Sequence, residues 1–303
     1  MTVLEVIQKS TEFLAKKGVE SPRLQTELLL AHLLQLPRMK LYLNFERTLT
    51  PVETDALREF IKRRSRHEPL QHITGSTSFC GFEITVNRHV LIPRPETEML
   101  AELGWQFLST LKVQPAMALD FGTGSGCIAV VLAAKCPSAK IVATDISPEA
   151  LALAKDNAAR NHVTERIKFL PGDGFAALAN ESERGQPVRE IGDANTRTNC
   201  PRSFDLIISN PPYIPSAEIA ALQPEVRDFD PRVALDGGVD GLDFYRNLAN
   251  EAKPLLKSGG KIMLEFGDGQ ADAIRNFFEM EKWIVEAVQE DYSHRQRILI
   301  AGI

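Results

Sequence analysis

Met117-Ala118-Leu119-Asp120-Phe121-Gly122-Thr123-Gly124-Ser125-Gly126 passes from a short apolar run into three glycines at alternate positions, and an apolar helical stretch, Ile128 to Ala134, follows at once. The apolar run reads as a buried strand. The glycines read as a tight strand-to-helix turn whose backbone amides can approach a ligand with no Cβ in the way. The spacing separates this loop from two other glycine-rich turns, since a dinucleotide site uses GxGxxG and a P-loop carries Gly-Lys-Ser/Thr. Downstream lie four more apolar runs of strand length: Ile141–Thr144, Ile167–Leu170, Phe204–Ser209 and Lys261–Phe266. Helical stretches such as Pro148–Asn161 separate several of them, the pattern of a parallel sheet covered on both faces. Ile284–Val288 and Ile298–Ala301 add two runs able to close the sheet near the C-terminus. Between Asn180 and Ser203 the chain is polar with few hydrophobics, and is expected to be a mobile surface excursion outside the fold.

Upstream the pattern is helical. Leu4, Ile7 and Leu14 are expected on one face of a first helix, and Leu28, Leu29 and Leu33 on one face of a second. Thr50-Pro51-Val52-Glu53 is a capping box with proline at the first helical position, so a third helix starts there. Phe79, Phe82, Ile84 and Val86, with Gly81 between the aromatics, suggest a short hairpin, and a new helix follows Pro95. The expected organisation is a helical domain over residues 1–75, a hairpin linker over 76–90 and an α/β domain over 91–303.

The composition, 44% hydrophobic and 25% charged over 303 residues, is that of an ordinary globular protein. No run approaches the roughly 18 apolar residues of a membrane span, and the N-terminus has neither a signal segment nor an Arg-rich transit pattern. Cys80, Cys127, Cys136 and Cys200 form no CxxC pair and have no histidine at ligand spacing, so no metal is expected and a reducing cytoplasm is the expected compartment. The net charge of −5 argues against a protein whose main task is gripping duplex DNA. Residues 1–75 nevertheless carry 12 Lys/Arg against 9 Asp/Glu, concentrated at Arg58, Lys62, Arg63, Arg64 and Arg66. A solvated helix face is the simplest account of that run.

Beyond the glycine loop, three features carry chemistry. Asp145 ends the next strand about 20 residues on, where a carboxylate can accept hydrogen bonds from both hydroxyls of a ribose. It can also simply cap the helix that follows, although Ser147 fits that role. Asp173 and Gly174 end the third strand, at the level of a nucleoside base; a plain turn aspartate is the alternative. Asn210-Pro211-Pro212-Tyr213 directly follows the fourth strand, at the carboxyl edge where open α/β sheets bind ligands. The prolines stiffen this loop and remove backbone donors. The Asn210 side-chain carbonyl and the Pro211 carbonyl can then hold both hydrogens of an NH2 group, with Tyr213 offering a flat face to a planar substrate.

Together with Ile92-Pro93-Arg94-Pro95-Glu96-Thr97-Glu98 and the stretch Gln223–Tyr245, these motifs resemble the HemK/PrmC family over nearly the whole chain. The resemblance implies a seven-stranded, mostly parallel, Rossmann-like class I methyltransferase sheet with a small helical substrate-recognition domain. It implies methyl transfer from S-adenosyl-L-methionine to the side-chain amide of a glutamine, that of the GGQ motif of peptide chain release factors, with S-adenosyl-L-homocysteine as product. Gly122, Thr123, Gly124, Ser125, Gly126, Asp145 and Asn210 would then line the cofactor, joined by Asp173 and Gly174, while Asn210, Pro211, Pro212 and Tyr213 bind the substrate. Gly174 departs from relatives that place a large aromatic there. Arg94 and Glu98 either organise the cofactor lid or cap a helix. No His or Glu adjoins the motif, although Asp205 and Glu218 are near in sequence, so the proton of the methylated nitrogen is expected to leave to water after transfer. Other readings are an adenine amine methyltransferase on DNA or RNA, a glutamine methyltransferase for a ribosomal protein, and a non-catalytic cofactor-binding module; the last needs a damaged site, and none is visible.

Overall fold

The computed structural model describes residues 1–112, 114–178 and 204–303, so the excursion expected over Asn180–Ser203 lies outside the described residues. The chain divides into two compact units: Met1–Ser76 with Leu222–Phe229, and Thr77–Ala221 with Asp230–Ile303.

In the first unit, α1 (Val3–Lys16) begins at a reciprocal capping box between Thr2 and Glu5. Its buried face is Val3, Val6, Ile7 and Leu14, whereas Leu4 is 36% exposed. Helical geometry explains the difference from the expected face: at about 100° per residue, Val3 lies within about 20° of Leu14 and Leu4 about 80° away. The second helix, α2 (Pro22–Leu34), buries Leu29 and Leu30, with Leu28 and Leu33 half-buried. The Thr50–Glu53 box opens α3 (Pro51–Arg64), with both of its reciprocal hydrogen bonds made. A short α4 (Leu70–Thr74) completes the packing around Leu41, Leu57, Ile61 and Ile73.

The basic run is largely neutralised where it stands. Arg58 pairs with Asp55, Lys62 with Glu59 and Arg63 with Glu68. Arg64 is buried, and its guanidinium donates to Gln25 Oε1 at 3.0 Å, to the Glu68 carbonyl at 3.2 Å and to Glu225 Oε1 at 3.0 Å. A buried cation requires such saturation. Glu225 belongs to the short helix α8 (Pro224–Arg227), which explains why Leu222–Phe229 clusters with this unit although its neighbours in sequence do not.

The second unit opens with a hairpin of β1 (Ser76–Phe79) and β2 (Phe82–Thr85). Cys80 and Gly81 at its tip have φ of +49° and +82°, positive at both central positions as a type I′ turn requires. Seven further strands, β3 (Met117–Phe121), β4 (Lys140–Asp145), β5 (Ile167–Pro171), β6 (Phe204–Ser209), β7 (Leu256–Glu265), β8 (Ile284–Glu290) and β9 (Gln296–Gly302), form one sheet in the order β5-β4-β3-β6-β7-β9-β8. All neighbours run parallel except β9, which is antiparallel to both β7 and β8. Helices α5 (Pro95–Thr110), α6 (Cys127–Lys135), α7 (Pro148–Arg160), α9 (Asp243–Glu251) and α10 (Ala271–Met280) accompany the sheet. One core cluster gathers α6 with Ile141 and Ile208, another gathers Tyr245, Ile274 and Phe278 with Ile207 and Ile262; the sheet is covered on both faces. The strand order reverses between β3 and β6, which places the crevice of this open sheet between the loops that leave those two strands.

Candidate active site

The β3 and β6 loops are tied together at their roots. Ser209, the last residue of β6, is fully buried and donates from Oγ to the Phe121 carbonyl at 2.6 Å. A cavity opens beyond this tie, and its walls include Gly122, Thr123, Gly124, Ser125, Asp145, Asp173, Gly174, Asn210, Pro211 and Pro212. The structure therefore brings together nearly all the residues singled out from sequence. Gly126 and Tyr213 are not part of that wall.

The glycine loop is built largely on its own hydrogen bonds. Thr123 N donates to the Thr144 carbonyl at 2.8 Å, Gly126 N to the Thr123 carbonyl at 2.8 Å, and Gly124 N to Asp145 Oδ2 at 2.8 Å. Asp120, buried at the end of β3, clamps the loop from beneath: its Oδ2 accepts from Thr123 Oγ1 at 2.6 Å and from Ala129 N at 3.1 Å. Burial pushes the Asp120 carboxyl up to about 7. The three glycines have φ of +71°, +54° and +78°, so the alternating pattern serves the turn's conformation as well as ligand approach. Gly126 has a packing reason too: a Cβ there would lie 2.9 Å from Ala154 Cβ and 3.1 Å from Ala154 Cα, where α7 passes. Gly126→Ala is expected to cost about 1–3 kcal/mol and to lower the thermal midpoint; an unchanged melting curve would show that α7 yields without strain.

Asp145 ties the glycine loop to the turn that precedes α7. Its Oδ1 accepts from Ser147 N at 2.9 Å and its Oδ2 from Gly124 N, while Ser147 caps α7 by accepting from Ala150 N at 3.1 Å. Each carboxylate oxygen keeps a further lone pair, and the group lines the cavity, so two acceptor positions are held in place. Gly174, at φ +54°, sits under the Phe121 ring; a Cβ there would approach Phe121 Cζ to 3.3 Å. The next residue, Phe175, sets its ring 5.0 Å from that of Phe121.

Asn210 is held by a chain that runs away from the cavity. Its Nδ2 donates to Thr97 Oγ1 at 3.0 Å, and Thr97 Oγ1 donates to Glu265 Oε2 at 2.7 Å. Among the described residues no donor reaches Asn210 Oδ1, which is screened from solvent. Glu265 ends β7, is 2% exposed, and is pushed up to about 7 by burial, with Glu96 raising it further and Thr97, Arg297 and Asn210 opposing. Neither Thr97 nor Glu265 was singled out from sequence; Thr97 lies inside the Arg94–Glu98 motif, but nothing local marks Glu265 as its partner.

Tyr213 turns its ring into the core, with Cδ2 only 3.0 Å from where a Gly267 Cβ would stand, and burial pushes its phenol up to about 12. In this structure it anchors the loop through its backbone: the Tyr213 carbonyl accepts from Gln270 Nε2 at 2.8 Å, while Gln270 Oε1 accepts from Gly267 N at 2.9 Å. The segment after it is clasped by residues 235–238, through Ile214 N to the Leu235 carbonyl at 3.0 Å and Gly237 N to the Ile214 carbonyl at 2.9 Å. Arg94 stands at the N-cap position of α5 but its side chain makes no capping hydrogen bond. Arg94 pairs with buried Asp230 at 2.9 Å, beside the wall residues Pro93 and Pro231, and Glu98 Oε1 accepts from Cys80 N at 2.8 Å at the hairpin tip.

Residues 5–75 match the family described as the PrmC N-terminal domain, and residues 104–184 the family described as the methyltransferase small domain. The fold and the site define a methyltransferase. The release factor glutamine methyltransferase of Geobacter sulfurreducens is 43% identical over 279 residues, covering 91% of this chain and 88% of its own. That of Chlorobaculum tepidum is 38% identical over 299 residues, covering 98% and 95%. This chain belongs to the release factor glutamine methyltransferase family. Among solved structures, the hMettl16 catalytic domain in complex with MAT2A 3'UTR hairpin 1 aligns with a TM-score of 0.52 at 15% identity, over 84% of this chain and 81% of that one, a likeness of fold alone. No helix among the described residues is long and apolar enough to cross a membrane.

Proposed function

We propose that the protein transfers a methyl group from S-adenosyl-L-methionine to the side-chain amide nitrogen of a glutamine in peptide chain release factors, in the cytoplasm. The observation that carries this reading is Asn210, a residue of the crevice wall whose buried Oδ1 has no described donor. A buried acceptor left unpaired costs about 1–3 kcal/mol, which a substrate NH2 would relieve. The cavity also fits the cofactor: Asp145 and Asp173 suit ribose hydroxyls, an amine and a cationic ligand, and Phe121, Ile146 and Phe244 suit a flat base. When bound, S-adenosyl-L-methionine supplies an electrophilic methyl on a sulfonium and departs as S-adenosyl-L-homocysteine.

The chain's own part is orientation and charge. An amide nitrogen is a weak nucleophile because its lone pair is delocalised, so fixing its direction matters, and well-oriented reactions gain up to about 7–11 kcal/mol. The Asn210 side-chain carbonyl and the Pro211 carbonyl accept the two N–H bonds and favour the positive charge that develops on nitrogen. The helical unit recognises the protein substrate in this reading. Local neutralisation of Arg58, Lys62 and Arg63 removes the main feature favouring a nucleic-acid substrate. The test is incubation with methyl-labelled S-adenosyl-L-methionine and, separately, unmethylated release factor, ribosomal proteins and nucleic acid. Label on a release-factor glutamine is expected; label in nucleic acid alone overturns the assignment.

A further inference from the structure

We propose that Thr97 and Glu265 are positioning residues that decide which end of the Asn210 carboxamide faces the substrate. The proposal rests on the reading of Asn210 given above and explains how its direction is set. An amide side chain presents an acceptor on one end and two donors on the other, and the wrong end would repel a substrate NH2. Nothing in the Asn210 side chain itself chooses between them. An ionised carboxylate, by contrast, can only accept. With Glu265 ionised, the single Thr97 proton is committed to Glu265 Oε2, at 2.7 Å. Thr97 Oγ1 then has only lone pairs to offer Asn210, so the amide must turn Nδ2 toward it, at 3.0 Å, and Oδ1 is left as an acceptor with no described donor. Polarity thus propagates from Glu265 through one hydroxyl to the substrate acceptor. Protonation of Glu265 lets it donate to Thr97 instead, which frees the Thr97 proton to bond Asn210 Oδ1 and reverses the amide.

The groups that face Glu265 come from four elements. Thr97 and Glu96 stand on α5, Asn210 and Tyr213 in the loop after β6, Tyr245 on α9 with its hydroxyl on the Glu265 carbonyl at 2.7 Å, and Arg297 on β9. Arg297 is already engaged by Asp291 at 3.1 Å and does not reach Glu265 by a described hydrogen bond. Burial holds the Glu265 carboxyl near 7, so its charge changes across the neutral range.

The test combines three variants with the intact protein, release factor as substrate and S-adenosyl-L-homocysteine binding by calorimetry as the check of folding. Thr97→Val removes the hydroxyl at nearly constant volume and is expected to lower kcat by ~10²-fold with S-adenosyl-L-homocysteine affinity within about twofold; Thr97→Ser is expected to restore most of kcat. The wild-type kcat is expected to fall as pH drops through about 7, and Glu265→Gln to give a low kcat that no longer rises across that range. Asp120 and Asp230, pushed up to about 7 and about 6, titrate nearby, so the Gln variant is what assigns the limb. Wild-type kcat in Thr97→Val, or an unchanged acid limb in Glu265→Gln, overturns the proposal if Asn210→Ala is inactive. If Asn210→Ala is itself fully active, the failure lies in the reading of Asn210.

Discussion

Asn210→Ala is expected to lower turnover by ~10²–10³-fold or more, the range for losing one preorganised polar contact to developing charge. The substitution deletes the acceptor Oδ1 and the donor that ties it to Thr97, but leaves the frame around it standing. Pro211 and Pro212 keep the loop stiff, Ser209 still bonds the Phe121 carbonyl, and Gln270 still holds the Tyr213 carbonyl. Binding of S-adenosyl-L-homocysteine should therefore weaken much less than kcat. Asn210→Asp keeps an acceptor but sets a second carboxylate on the Thr97–Glu265 chain, and is expected to be almost as damaging. Measured kcat, KM and calorimetric affinity separate the effects. A purified Asn210→Ala protein with wild-type turnover would remove Asn210 from the site.

Gly241→Ala should rank second, although the residue touches no reacting atom. At φ +77°, a Cβ on Gly241 would fall 2.3 Å from the Tyr213 carbonyl oxygen, 2.9 Å from Gln270 Nε2 and 3.1 Å from Pro215 Cδ. The first of these is backbone and cannot rotate away. Relief requires moving the Tyr213 carbonyl, three residues beyond Asn210, off the Gln270 amide that holds it. A displacement of about 1 Å in such a support costs ~10²-fold in rate, so kcat should fall by that order together with about 1–3 kcal/mol of stability. Gly259→Ala supplies the control, because Gly259 has nearly the same φ, +76°, and nothing within 4 Å of its Cβ position. It should lose stability from backbone strain alone and keep kcat. Equal kcat in the two variants would mean that the loop absorbs the collision.

The parts legible in the sequence were those with local causes. Apolar runs bounded by turns mark every strand of the seven-stranded sheet to within a few residues, β7 starting five residues earlier than its apolar run. The capping box from Thr50 to Glu53 contains both of its partners within four residues and forms as its spacing requires. Asn210 declares itself because the loop chemistry and the preceding strand are contiguous. The remainder depended on distance. Thr97 and Glu265 are 168 residues apart, and no periodicity announces a buried threonine–glutamate contact. Asp205 and Glu218 lie near Asn210 in sequence, yet Asp205 serves the Met117 amide and Lys257. Arg94 likewise finds Asp230 across 136 residues. Tyr213 illustrates a different limit: its identity predicts a flat face, but Gly267 and the core around Tyr245 decide where that face points. Gly126 was grouped with its neighbours by pattern, whereas the passage of α7 gives it a separate reason to lack a side chain.

The excursion of Leu222–Phe229 into the helical unit has a practical meaning for modularity. The polypeptide crosses between its two compact units three times, once near Ser76 and again at either end of this eight-residue detour. Removing residues 1–76 would not excise a self-contained appendage. It would strip Glu225, on the four-residue helix α8, of its partners Arg64 and His67, at 3.0 and 3.2 Å. The second unit is encoded as two separate stretches, Thr77–Ala221 and Asp230–Ile303, and not as one uninterrupted one.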